Sequence, residues 1–163
     1  MTAYLHGFIP EEQQRLMDQA GVLGSLIYPR IDFGGCKNLL EVGSGVGAQT
    51  ETLLRLFPDL QITCVDYSQS QLDRAKQNLA FACDRVKYVC QDAKELVLDE
   101  KYDSVFICWA LEHIPNSHLV LEAVKPYLFP NAKLWFTEVF NSSFYFNPPL
   151  AGLSKYYLAY NEF

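Results

Sequence analysis

The chain has 163 residues, 50% hydrophobic and 20% charged, enough for one packed core and too few for two full domains. Its net charge of −6 comes without a run of like charge, which excludes the basic footprint of a nucleic-acid or anionic-membrane binder and favours a small or neutral substrate. The five cysteines, Cys36, Cys64, Cys83, Cys90 and Cys108, are odd in number, lack CxxC spacing and fall mostly in apolar runs, the usage of a reducing compartment rather than of a disulfide framework or a zinc site. Pro10, Glu11 and Glu12 interrupt the region where a signal peptide needs continuous apolar residues, and no stretch approaches membrane-spanning length. The expected location is the cytoplasm.

In chain order, Pro10 suits the first turn of a helix, and Leu16, Ala20, Leu23 and Ile27 follow at helical spacing, although Gly21 and Gly24 weaken it. Asn38 to Val42 reads as a strand running into a glycine turn, after which Thr50, Leu53, Leu54 and Phe57 mark a helix stopped by Pro58. Gln61 to Val65 is a second strand closed by Asp66; Ser68 and Gln71 offer a capping box for a helix with Leu72, Ala75, Leu79 and Ala82 on one face. Val86 to Cys90, Ser104 to Cys108 and Lys133 to Val139 read as strands three to five, with a helix from about Ser117 to Lys125 between the last two. Strands separated by crossover helices predict an α/β, doubly wound, mainly parallel sheet of order 3-2-1-4-5.

The segment Leu40-Glu41-Val42-Gly43-Ser44-Gly45-Val46-Gly47 places three glycines between a strand and a helix. Glycine there lets the backbone turn sharply and approach a ligand, while the helix behind presents free N–H groups. Read loosely, Gly43-x-Gly45-x-x-Ala48 also satisfies the dinucleotide fingerprint, so a nicotinamide-dependent oxidoreductase is a rival reading. Asp66, at the end of strand two, can accept from both hydroxyls of a ribose under either reading, or can merely cap the next helix.

Together with Val65-Asp66-Tyr67-Ser68, Gln91-Asp92-Ala93, Tyr102-Asp103-Ser104-Val105-Phe106-Ile107-Cys108 and Leu111-Glu112-His113-Ile114, the glycine segment resembles the ordered motif series of class I S-adenosylmethionine (SAM)-dependent methyltransferases. The resemblance covers roughly residues 35 to 140 and is nearest the small-molecule methyltransferases. It implies SAM as cofactor and a small-molecule methyl acceptor; the charge balance adds the expectation of no nucleic-acid or membrane partner. In that family the glycine loop, here Gly43, Ser44, Gly45 and Gly47, packs against the amino-acid part of SAM, and the acid at Glu41 orients the loop and the ammonium group. Glu41 also disfavours a dinucleotide, because a carboxylate repels a pyrophosphate but suits an ammonium and a sulfonium.

By the same resemblance Asp66 holds the ribose, Tyr67 lies against the adenine, Asp92 accepts from the adenine amino group, and the Ala93 N–H meets a ring nitrogen. The exit of strand four, Cys108 and Trp109, corresponds to the wall beside the methionine part; Trp109 either faces the sulfonium or plugs the core. His113 is the candidate general base, with a packing role as the alternative. Methyl transfer to an acceptor that is already nucleophilic needs no base, only alignment and exclusion of water.

Two departures from the family stand out. The turn before strand five reads Lys125-Pro126-Tyr127-Leu128-Phe129-Pro130-Asn131-Ala132 where Lys-Pro-Gly-Gly is common, leaving Asn131 to turn the chain. The family's fold continues past strand five with a helix and two strands, so the chain reads as C-terminally incomplete. Leu134, Trp135, Phe136, Val139 and Phe140 would then form an exposed apolar edge, open to self-association or completion in trans. The aromatic tail, Phe144, Tyr145, Phe146, Tyr156, Tyr157 and Tyr160, reads as part of that unfinished core or as pocket lining. The expected layout is one domain, with residues 1–30 as helix and lid (Tyr4 and His6 over the substrate), 35–140 as core and 141–163 as the start of a C-terminal part. A catalytically inert SAM-binding or partner-binding fragment is the remaining alternative.

Overall fold

The computed structural model describes residues 9–138 together with Gly152, Leu153 and Lys155. Val139, Phe140, the tail aromatics and the lid residues Tyr4 and His6 lie outside the described residues. Five strands, β1 (Asn38–Val42), β2 (Gln61–Asp66), β3 (Val86–Cys90), β4 (Tyr102–Cys108) and β5 (Leu128–Thr137), form one sheet in the order β3-β2-β1-β4-β5. Every pairing is parallel, as the alternation of apolar runs and helical faces predicts. The helices are α1 (Pro10–Ile27), α2 (Ala48–Leu56), α3 (Gln69–Asn78) and α4 (His118–Val124).

The central strands are apolar on both sides because both faces are covered. On one face Leu39, Ile62, Cys64 and Phe106 meet Leu53 and Leu54 of α2 and Leu72 and Ala75 of α3. On the other, Leu40, Val42, Val65, Val105 and Ile107 meet Ala93, Leu96, Val120 and Val124. Phe33, 3% exposed, keys the first face with edge-on contacts to Phe57, Phe106 and Trp135 at ring-centre distances of 5.3, 6.3 and 6.1 Å.

Three local features differ from the sequence reading. The crossover from β3 to β4 contains no helix: residues 91–101 run as turns and extended chain, burying Ala93 and Leu96. That segment must pass three strand spacings sideways, roughly 14 Å, and return the length of a strand; eleven residues in a helix span only about 16 Å, whereas extended they reach about 36 Å. The capping box before α3 is half made. Ser68 Oγ accepts from Gln71 N at 3.4 Å, but Ser68 N donates to Asp66 Oδ1 and the Gln71 side chain instead accepts from Gln13 Nε2 of α1. Finally, β5 begins before the expected turn: Tyr102 pairs with Leu128 and Ser104 with Lys133, so the chain bulges between them, and Asn131 turns there with φ 68°.

As the edge strand, β5 pairs only with β4 among the described residues. Its Phe129, Leu134 and Phe136 are exposed. No helix among the described residues is long and apolar enough to cross a membrane.

Candidate functional site

The carboxyl ends of β1 and β2 are joined by the glycine loop. Gly43 N and Ser44 N both donate to Val65 O, at 2.8 and 3.1 Å, and Gly45 N donates to Asp66 Oδ2 at 2.9 Å. Gly43, Gly45 and Gly47 have φ of 72°, 53° and 77°, values that an L side chain resists. The three are not equivalent. A Cβ on Gly43 would sit 2.4 Å from Ala110 Cβ, and one on Gly47 would sit 2.7 Å from Leu79 Cδ1, whereas around Gly45 there is open space. Gly43 and Gly47 therefore allow close packing, and Gly45 is where the loop can meet a ligand.

Glu41 lies beneath the loop, 2% exposed, on the same face of the sheet as its register partner Cys64. Its Oε2 accepts from Thr50 Oγ1 of α2 at 2.7 Å. Burial pushes its pKa up to about 8, opposed by the Thr50 hydrogen bond and reinforced by the Asp66 charge. Burial thus favours the protonated carboxyl, and a cation placed against it would favour ionisation. Its repulsion of a pyrophosphate is correspondingly weaker than the sequence argument assumed.

Asp66 is 9% exposed, and each of its oxygens takes a backbone N–H, Oδ2 from Gly45 and Oδ1 from Ser68. Burial raises its pKa while these N–H groups oppose the rise. The Tyr67 N–H also bears on the carboxylate, and of a carboxylate's roughly four acceptor sites at least one remains for a hydroxyl donor. With Ser68 capping α3, Asp66 is free of the capping role. Tyr67 follows, 58% exposed. Gln91 N donates to Asp66 O at 3.1 Å, which brings the end of β3 alongside and sets Asp92 and Ala93 one step beyond. The Asp92 side chain is half exposed and accepts from Lys94 N at 2.9 Å; Ala93 is buried.

At the end of β4, Cys108 is half-buried, and its thiol is pushed up by burial and by the charges of Glu41 and Glu138. Trp109 has φ 52°, donates its backbone N–H to Thr137 O at 2.8 Å and is partly buried against the Phe33 side of the core. His113 lies in the short turn Leu111–His113, its Nε2 3.6 Å from Glu112 Oε1. Ser44 Oγ is buried without a nitrogen or oxygen partner, facing the Cys64 thiol.

Three supporting residues were not singled out from the sequence. Thr50 holds Glu41; Asn78 Nδ2 donates to Val46 O at 2.9 Å, tying α3 to the glycine loop; and Glu138 accepts from Ala110, Leu111 and Glu112 N–H. Helix α1 adds apolar cover, Leu16, Met17 and Ala20 packing on Val46 and Ala48. Only the acid at the end of β5 carried a sequence signal, a carboxylate at the ligand-facing end of a parallel strand.

Residues 40–134 match the protein family described as methyltransferase domain. The malonyl-[acyl-carrier protein] O-methyltransferase of Bacillus cytotoxicus is 32% identical over 106 residues, covering 65% of this chain and 36% of that protein. Among solved structures, the StiE O-methyltransferase domain superposes with TM-score 0.65 at 20% identity, over 78% of this chain and 47% of its own. The plantazolicin methyltransferase BpumL in complex with SAH superposes with TM-score 0.59 at 18% identity, over 82% and 50%. This chain spans under half the length of the curated relative. With the family match covering most of the described sheet and its glycine loop, the chain belongs to the methyltransferase domain family, in the class I SAM-dependent group.

Proposed function

We propose that this chain binds SAM at the carboxyl ends of β1 to β4 and takes part in methyl transfer to a small-molecule acceptor, in the cytoplasm. The observation that carries the reading is the Gly45 N to Asp66 Oδ2 hydrogen bond. It locks an open, positive-φ glycine beside a buried carboxylate that retains acceptor capacity, so one ligand can touch the loop backbone and the carboxylate together. The residues fit SAM: Glu41 for the ammonium, Gly43, Ser44, Gly45 and Gly47 along the amino-acid part, Asp66 on the ribose, Tyr67, Asp92 and Ala93 around the adenine, Cys108 and Trp109 beside the methionine.

Bound there, SAM supplies a sulfonium-activated methyl group. The chain's own residues orient and dehydrate it. Glu41 would release its proton to solvent as a cation settles against it, and the loop, its Gly43, Ser44 and Gly45 N–H groups committed to Val65 O and Asp66 Oδ2, would offer the ligand a surface that does not reorganise. His113, paired with Glu112, is the group that would take a proton from an acceptor needing activation. The one-domain layout, residues 1–30 as helix and lid, 35–140 as core and 141–163 continuing it, belongs to this reading. So does pairing of the apolar β5 edge by a further segment or a second copy.

Thermal unfolding with and without S-adenosylhomocysteine (SAH), with NAD as the parallel control, tests the reading. Ligand at a hundred times its dissociation constant adds about 2.7 kcal/mol. A shift with SAH alone is expected; a shift with NAD alone transfers the site to the dinucleotide reading.

A further inference from the structure

Glu138 stands outside every motif, yet its carboxylate gathers three successive backbone donors. Oε1 accepts from Ala110 N at 3.2 Å and Leu111 N at 3.0 Å, and Oε2 from Glu112 N at 3.4 Å. Next to it in the chain, Thr137 O accepts from Trp109 N at 2.8 Å. The end of β5 thus holds four consecutive N–H groups of the segment leaving β4. That segment needs holding, because Trp109 sits at φ 52°, a conformation costing a non-glycine residue on the order of 1 kcal/mol or more. It also abuts the glycine loop: Ala110 Cβ fills the place where a Gly43 side chain would be, 2.4 Å from its Cβ position.

We infer that Glu138 is a positioning residue that fixes the wall beside the methionine end of the cofactor, acting through the Ala110–Glu112 turn on Gly43. This rests on the proposed SAM site. Charge-assisted acceptance by one carboxylate is what the geometry requires. A glutamine in its place turns an amide nitrogen toward at least one of the donors and leaves it unpaired. The turn then loosens where it meets Gly43, whereas Asp66 and the end of β3, on the far side of the loop, keep their own hydrogen bonds.

Two ligands separate this role from general destabilisation: SAH, which carries the amino-acid part, and 5′-methylthioadenosine, which lacks it. Calorimetric titration of both into wild type and Glu138→Gln is expected to show SAH weakened about tenfold, the equivalent of one lost charge-assisted hydrogen bond, with methylthioadenosine within about twofold. Glu138→Asp, which retains the charge, is expected to recover part of the SAH affinity and takes the place of Gln if that variant does not fold. Equal weakening of both ligands, or of neither, overturns the inference while leaving the SAM site standing. A wild type that binds no SAH removes the site and the inference together.

Discussion

Replacing Glu41 by Gln isolates what the buried carboxyl does to the fold. In the native state its pKa is pushed from 4.5 up to about 8 by burial. A group whose folded pKa exceeds its unfolded value binds more protons when native, so its contribution to stability is full below about pH 4.5 and is lost as pH rises through 8. Each pH unit in that window is worth about 1.4 kcal/mol, giving a total on the order of 4 to 5 kcal/mol. Gln keeps an acceptor for Thr50 Oγ1, 2.7 Å away in the wild type, and cannot ionise. Urea unfolding of both proteins at pH 5, 6.5 and 8 gives the stability difference by linear extrapolation. Titrations common to both, that of Asp66 included, largely cancel in that difference. Relative to wild type, Glu41→Gln is expected to gain stability steadily from pH 5 to 8 and to level off above. Parallel curves would refute the reasoning, since they would mean that the native protein ionises Glu41 without cost.

Gly43→Ala and Gly45→Ala should part company. The first meets Ala110 Cβ at 2.4 Å as well as an unfavourable φ and is expected to lose roughly 3 kcal/mol by denaturant unfolding. The second pays only for φ, about 1 kcal/mol, yet projects a methyl into the ligand space and should weaken SAH binding more than it weakens the fold. Asp66→Asn keeps the side-chain volume but loses the charged acceptor, and titration calorimetry should show SAH affinity down at least tenfold with the far-UV spectrum unchanged. Phe33→Ala removes the ring shared by Phe57, Phe106 and Trp135; a stability loss of about 3 to 5 kcal/mol is expected, and a loss below 1 kcal/mol would mean that this end of the core is loosely packed.

The sheet was legible because its signals are local. Asn38 to Val42, Gln61 to Asp66 and Ser104 to Cys108 are short apolar runs closed by glycine or by a change of period, and parallel pairing follows from the helices between them. The crossover of residues 91–101 was misjudged because helix or extended chain is decided there by the distance to be covered, which depends on strand order rather than on local pattern. Glu138 had only its place at the end of a parallel strand to mark it, and its role was hidden for a related reason: its partners Ala110 to Glu112 lie more than twenty residues away, and no spacing rule reaches that far. Glu41 was found by position, but its protonation state follows from complete burial under α2. Trp109 could not be assigned from sequence, since a tryptophan after a buried strand serves wall or core equally well; its φ and its contact with the Phe33 cluster come from the tertiary fold.

The most direct test is an SAH titration of isotope-labelled protein followed by amide chemical shifts. The account predicts that Gly43 to Gly47, Asp66 to Ser68, Ala93 and Trp109 to Glu112 move together with one dissociation constant. Shifts confined to the opposite end of the sheet, where Phe33, Cys36, Pro130 and Lys133 line a separate cavity of about 210 Å³, or no shifts at all, would contradict it.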